Sequence, residues 1–142
     1  MLFRSEKATS HYSKKSGELE DDCDWKTCDP SQCAVGSYLK GCGDADAGAC
    51  VPCTNKGDGT FYTGYGDLDQ NDCAYESCPT CGKGNFRENC GLSSNPTSSG
   101  QCARCTNANV GAEYYIGSGS PNDATCPKES CKTDCEIGRA HV

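Results

Sequence analysis

The chain has 142 residues, of which 15 are cysteine and only 14 are Leu, Ile, Val or Phe. So few large aliphatic side chains exclude a conventional apolar core, and cross-links are left to supply the order. A formal charge of −7 and a pI near 4.7 exclude nucleic acid and anionic membrane surfaces as partners, because phosphate recognition needs clustered Lys and Arg, and no apolar run approaches the ~18 residues of a membrane span.

Both ends read as foreign to the rest. Ile137-Gly138-Arg139-Ala140-His141-Val142 is the translation of a common sequencing-library adapter, ATC GGA AGA GCA CAC GTC. Met1-Leu2-Phe3-Arg4-Ser5 resembles the opposite adapter read in frame. Residues 1–5 and 137–142 are therefore expected to be adapter-derived tails, set aside from fold reasoning like any scar. The stretch between them is expected to be a fragment of a longer protein, so the lack of a leader or anchor says nothing about compartment. Residues 6–22 are polar and charged and read as a disordered linker.

From there the cysteines fall into register. Cys23, Cys28, Cys33, Cys42, Cys50 and Cys53 are followed by Cys73, Cys78, Cys81, Cys90, Cys102 and Cys105, and then by Cys126, Cys131 and Cys135. Cys23 and Cys73 stand 50 residues apart, and Cys73 and Cys126 stand 53 apart. The intervening text repeats too. CAVGSY at 33–38 and CGKGNF at 81–86 are both Cys-x-x-Gly-x-aromatic, and both run on to a Cys-Gly pair (Cys42-Gly43, Cys90-Gly91). CTNKGDGTFYTG at 53–64 and CTNANVGAEYYIG at 105–117 share Cys-Thr-Asn, a short loop, two aromatics and a Gly. A repeat of this length marks an array of units that touch their neighbours, which predicts an elongated shape. Alternation predicts short two-stranded ribbons at Thr60 to Thr63 and Ala112 to Ile116, ended by the turn signals Gly64, Gly66, Gly117, Gly119 and Pro121. Helix signals are nearly absent. The segments Tyr65 to Asp72 and Gly91 to Gln101 read as exposed loops free to vary.

The pattern resembles the tumour-necrosis-factor-receptor type cysteine-rich repeat and the related repeats described as ephrin-receptor-like. The resemblance covers residues 23–135 and is carried by Cys-x-x-Gly-x-Tyr/Phe at Cys33 and Cys81 and by the Cys-x-x-Cys junctions at Cys50/Cys53 and Cys102/Cys105. It implies a small disulfide-rich fold, mostly loops with short antiparallel β ribbons. It implies one repeat truncated at its start (23–52), one complete (53–104) and one truncated at its end (105–136). It also implies the pairs Cys28–Cys42, Cys33–Cys50, Cys53–Cys73, Cys78–Cys90, Cys81–Cys102 and Cys105–Cys126, which the sequence by itself does not fix. Cys23, Cys131 and Cys135 are then left over, their expected partners lying outside the fragment. The loop from Cys53 to Cys73 is longer than is common in the family, and Cys28 and Cys33 stand further apart than Cys78 and Cys81. Tyr38, Phe86, Tyr62 and Tyr115 are expected to lie on nearby disulfides as miniature cores, with Gly36 and Gly84 permitting the turn before the first two.

Zinc is the rival use of these cysteines. Cys78/Cys81 and Cys102/Cys105 have nearly zinc-ribbon spacing, but Cys90 sits between them without a role, and both histidines (His11, His141) are terminal. A redox Cys-x-x-Cys would need a βαβ setting that is absent. Asp67, Asp69, Asn71 and Asp72 could form an oxygen cluster for calcium, yet the sixth and twelfth places of an EF-hand loop are Asp72 and Cys78 instead of Gly and Glu, so a solvated acidic loop is the simpler reading. The Asp44/Asp46 pair reads the same way. Lys56-Gly57-Asp58 is an integrin-type tripeptide too short to carry weight. Asn95-Pro96-Thr97 is disqualified as a glycan acceptor by its proline, and Trp25 is expected to cover a disulfide. No catalytic frame is visible, and neither an enzyme nor a cofactor is expected. The sequence thus points to part of an extracellular or cell-surface protein that acts as a structural spacer or binds an extracellular protein ligand, with no membrane contact of its own and any anchor left to the parent chain. The alternative is an intracellular zinc-binding protein.

Overall fold

The computed structural model describes residues 11–13 and 25–132. Cys23, Cys135, both tails and the remainder of the expected linker lie outside the described residues. Five two-stranded ribbons make up the described backbone. β1 (His11–Ser13) pairs with β2 (Trp25–Thr27), and β3 (Ser37–Gly43) with β4 (Asp46–Pro52). β5 (Thr60–Tyr62) pairs with β6 (Tyr75–Ser77), β7 (Asn85–Leu92) with β8 (Asn95–Arg104), and β9 (Glu113–Tyr115) with β10 (Lys128–Ser130). The one helical element among the described residues is a 3-10 turn at Pro30–Gln32, where proline presets φ and Asp29 accepts a hydrogen bond from the Ser31 N–H. The fold is therefore small and disulfide-rich, with short antiparallel ribbons and little helix.

Cysteine stands where a core would be. The buried apolar residues are nine cysteines together with Leu39, Tyr62 and Phe86, and no polar residue is buried among those described. Six disulfides hold the chain: Cys28–Cys42, Cys33–Cys50, Cys53–Cys73, Cys78–Cys90, Cys81–Cys102 and Cys105–Cys126. Their loops of 12 to 21 residues are long enough for each closure to remove about 2–4 kcal/mol of unfolded-state entropy.

The chain divides into two units: Met1–Gly57 with Tyr62–Glu76, and Asp58–Phe61 with Ser77–Val142. Each holds one long hairpin and the loop that follows it, so the units cut the chain differently from repeats starting at Cys53 and Cys105. Backbone hydrogen bonds give the reason. In the first unit Gly36 N–H donates to Gly64 O (3.0 Å), Gly66 N–H to Ser37 O (3.0 Å) and Asp69 N–H to Leu39 O (2.8 Å). These bonds seat the loop after Cys53 on the edge of β3. In the second unit Gly84 N–H donates to Gly117 O (3.0 Å), Gly119 N–H to Asn85 O (2.9 Å) and Asn122 N–H to Arg87 O (2.7 Å), seating the loop after Cys105 on β7 in the same way. The repeat seen in the cysteines is thus a repeat of hydrogen bonds as well.

Two expectations are corrected and a third is refined. His11–Ser13, inside the stretch read as disordered linker, is a strand in register with β2 (His11↔Thr27, Ser13↔Trp25) and lies beside β3 and β4. A short strand needs only an available edge, and the hairpin provides company for it. Gly91 to Gln101 is not a loop: apart from Ser93 and Ser94 it belongs to β7 and β8, which pair from Asn85↔Arg104 to Leu92↔Asn95 with a register shift between Cys90 and Leu92. Small polar residues and glycines, which read as loop, form a bulged hairpin because Gly91 and Gly100 take φ of 60° and 68°. Tyr65 to Asp72 is a loop as expected, but its backbone is held against β3 through Gly66 and Asp69.

Candidate functional site

All six implied pairs are brought together as disulfides, and the aromatic residues gather around two of them. Tyr62 packs with Cys53 and Cys73, and Tyr38 covers the same group. Phe86 packs with Cys105 and Cys126, joined by Tyr115. The tyrosine hydroxyls also close the Cys-Thr-Asn loops: Tyr62 accepts from the Lys56 N–H (3.4 Å) and Tyr115 from the Ala108 N–H (3.1 Å). Asn55 and Asn107 donate their side-chain amides to Cys73 O and Cys126 O, both at 2.9 Å. The Cys-Thr-Asn motif is therefore a loop staple. Of the three cysteines expected to be left over, Cys131 donates its N–H to Ala112 O (2.7 Å) and is half-buried.

The zinc reading does not fit this geometry. Cys78, Cys81, Cys102 and Cys105 belong to three different disulfides, so their sulfurs are not thiolates and share no site. The acidic run is likewise occupied by local bonds. Asp69 Oδ1 accepts from the Gly41 N–H (2.7 Å), Asp72 Oδ1 from the Asp67 N–H (2.9 Å), and Asn71 Oδ1 from the Thr54 N–H (2.7 Å). Each of these three oxygens accepts from a different backbone donor and so holds the local loop. No group of His, Cys, Asp or Glu among the described residues is arranged to hold a metal ion.

Ionisable groups elsewhere act as turn clamps. The Ser31 hydroxyl and N–H hold Asp29 below its ordinary value, and the Thr125 hydroxyl and N–H do the same for Asp123. Glu113 is lowered mainly by its bond to Lys128 and then by the Asn109 N–H. Lys128 Nζ lies 2.8 Å from Glu113 Oε2 and ties β10 to β9.

Six large apolar side chains are exposed, Val35, Tyr65, Tyr75, Val110, Tyr114 and Ile116, and the last three fall close together at this ribbon. Val110 is fully exposed at the turn before β9, Tyr114 lies on β9 at 46% exposure, and Ile116 directly follows the strand at 43%. Tyr115, between them, faces inward. The surface is rigidly built: Ala112 N–H closes on Asn109 O (3.0 Å), Ile116 N–H on Pro127 O (2.9 Å), and Tyr114 donates its hydroxyl to Glu129 Oε2 (2.9 Å). Sequence reasoning expected Tyr115 on a disulfide, and its neighbour Tyr114 faces outward. The period-two rule for strands was the signal that only one of them can point that way. Comparison with family models, with curated proteins and with solved structures returns no match.

Proposed function

We propose that this chain is a non-enzymatic, extracellular cysteine-rich module that binds a protein partner through the β9 ribbon and otherwise acts as a spacer. Six disulfides in a chain with so few aliphatic residues favour an oxidising compartment, where such bonds form and persist. The likeness of the cysteine register to receptor-type cysteine-rich repeats supports the same reading. The observation that carries recognition is the exposed set Val110, Tyr114 and Ile116 on a pre-formed turn and strand. Ordered apolar and tyrosine side chains lose little entropy on binding and serve as interface anchors.

The test has two parts. The chain, secreted behind a heterologous leader, is expected to have an unreduced mass lower than its reduced mass by the hydrogens lost to each disulfide. Free thiols with retained metal would overturn the extracellular reading. The labelled protein is then expected to bind cell surfaces saturably, with competition by unlabelled chain, and to lose that binding in Tyr114→Ser/Ile116→Ser. Binding unaffected by the double variant would remove the ribbon from the proposal, and no saturable binding would leave the spacer role alone.

A further inference from the structure

The six disulfides are not equally sheltered. Cys28–Cys42, Cys53–Cys73, Cys78–Cys90 and Cys105–Cys126 have both halves buried. Cys33–Cys50 has Cys33 buried at 5% and Cys50 exposed. Cys81–Cys102 is the one pair of the six with neither half buried: Cys102 is exposed and Cys81 half-buried.

The two less sheltered bonds occupy the same place in the two hairpins, which makes one a control for the other. In the first hairpin Cys50 stands opposite Leu39, which is buried, and Pro52 lies two residues on. In the second, Cys102 stands opposite Arg87, with Arg104 two residues on along the same strand face. Lys83 is exposed two residues after Cys81, where the first hairpin has Val35 two residues after Cys33. The nearest carboxylate on this pair of strands, Glu88, is opposite Gln101 and so on the other face of the ribbon. Arg87 is fixed in place by bonds from Nε to Pro79 O (2.9 Å) and from Nη1 to Gly100 O (3.3 Å). An otherwise acidic protein thus carries a reachable disulfide in a locally cationic setting.

We propose that Cys81–Cys102 is a thiol-exchange site that takes a small anionic thiol, such as glutathione, onto Cys102. The thiolate attacks Cys102 Sγ, forming a mixed disulfide and breaking the Cys81–Cys102 bond, and the electron pair leaves on Cys81 Sγ, which then takes a proton. A second thiolate attacks the small-molecule sulfur of the mixed disulfide. It releases Cys102 as a thiol and leaves with the first as an oxidised pair, so two small thiols are oxidised while one protein disulfide is reduced. Positive charge at the site raises the local concentration of the anionic attacker and stabilises the departing thiolate. The inference goes beyond the proposed extracellular role and does not depend on the β9 ribbon.

The oxidised protein is exposed to limiting reduced glutathione or to cysteamine, a cationic thiol, and each cysteine is assigned by differential alkylation and peptide mass spectrometry. Within each reagent the opening rate at Cys81–Cys102 is divided by that at Cys33–Cys50, which cancels intrinsic thiol reactivity. With glutathione at low salt the ratio is expected to be roughly tenfold, with glutathione found on Cys102 at early times. The ratio is expected to fall several-fold with cysteamine, at high salt, and in Lys83→Gln/Arg104→Gln, whose side chains are not needed for the hairpin's backbone bonds. Opening of Cys33–Cys50 or of any buried bond first, or a ratio indifferent to thiol charge and salt, would overturn the proposal.

Discussion

Gly119 and its counterpart Gly66 show how closely each loop lies on its hairpin. A Cβ at Gly119 would sit 2.8 Å from both Asp123 O and Phe86 Cβ, and one at Gly66 would sit 2.6 Å from Gln70 O and 2.9 Å from Tyr38 Cβ. In both places the glycine lets the backbone meet the aromatic side chain that covers a disulfide. Gly119→Ala is expected to destabilise the oxidised protein by about 2–3 kcal/mol through this clash. Gly82→Ala, where a Cβ meets nothing within 4 Å, is expected to change stability by less than about 0.5 kcal/mol. Denaturant titration of both variants with the disulfides intact checks the contrast. The residue scale also shows what two side chains of these loops do for the backbone. Asp69 has φ 56° and Asn122 has φ 61°, and they occupy equivalent places, each donating its N–H to the neighbouring strand. Asp and Asn are the side chains that best tolerate the left-handed region while bonding to nearby backbone.

At the scale of elements, the bulge in β7 depends on one side chain from another loop. Asn122 Oδ1 accepts from the Cys90 N–H (3.0 Å), and its Nδ2 donates to Cys90 O (2.6 Å). The register shift between Cys90 and Leu92 breaks the ladder there, and the amide takes up the donor and acceptor that the shift frees. Asn122→Ala is expected to cost about 2 kcal/mol from two lost bonds and an unfavourable φ, and to speed hydrogen exchange at the Cys90 amide selectively. Asn122→Gly removes the same bonds but keeps the backbone angle, so it is expected to cost less. Equal losses in the two variants would show that the angle contributes nothing.

For the molecule as a whole, stability divides between linkages that acid does not touch and carboxylate clamps that it does. Asp29, Glu113 and Asp123 all titrate below their ordinary values in the folded state. A lowered folded value means that the unfolded chain binds protons first. The stabilisation is therefore complete above the unfolded carboxyl range and is lost as pH falls through the folded values. The melting temperature of the oxidised protein is expected to stay level from pH 7 to about pH 5 and to decline below about pH 4. Glu113→Gln is expected to flatten that decline. A melting temperature that rises on acidification would contradict the assignment of these carboxylates.

The amino-acid sequence alone determined the kind of order this protein has. Cysteine count, aliphatic scarcity and the repeat of Cys-x-x-Gly-x-aromatic and Cys-Thr-Asn are properties of composition and spacing. They already require a disulfide-stapled array with little helix, but they do not fix the pairing, which the resemblance implied and the fold shows. Tertiary structure decided which face each residue turns outward and which segments are tied. Gly91 to Gln101 carries no strand alternation, yet it becomes hairpin because a backbone needs only a partner with matching donors and acceptors. Tyr114 and Tyr115 are adjacent and chemically alike, yet one seals a disulfide and the other faces solvent. Cys81–Cys102 and Cys33–Cys50 have the same spacing logic, but only packing sets one beside Leu39 and the other beside Arg87. Burial and charge environment depend on what the chain brings near from far along its length, and local sequence does not encode that.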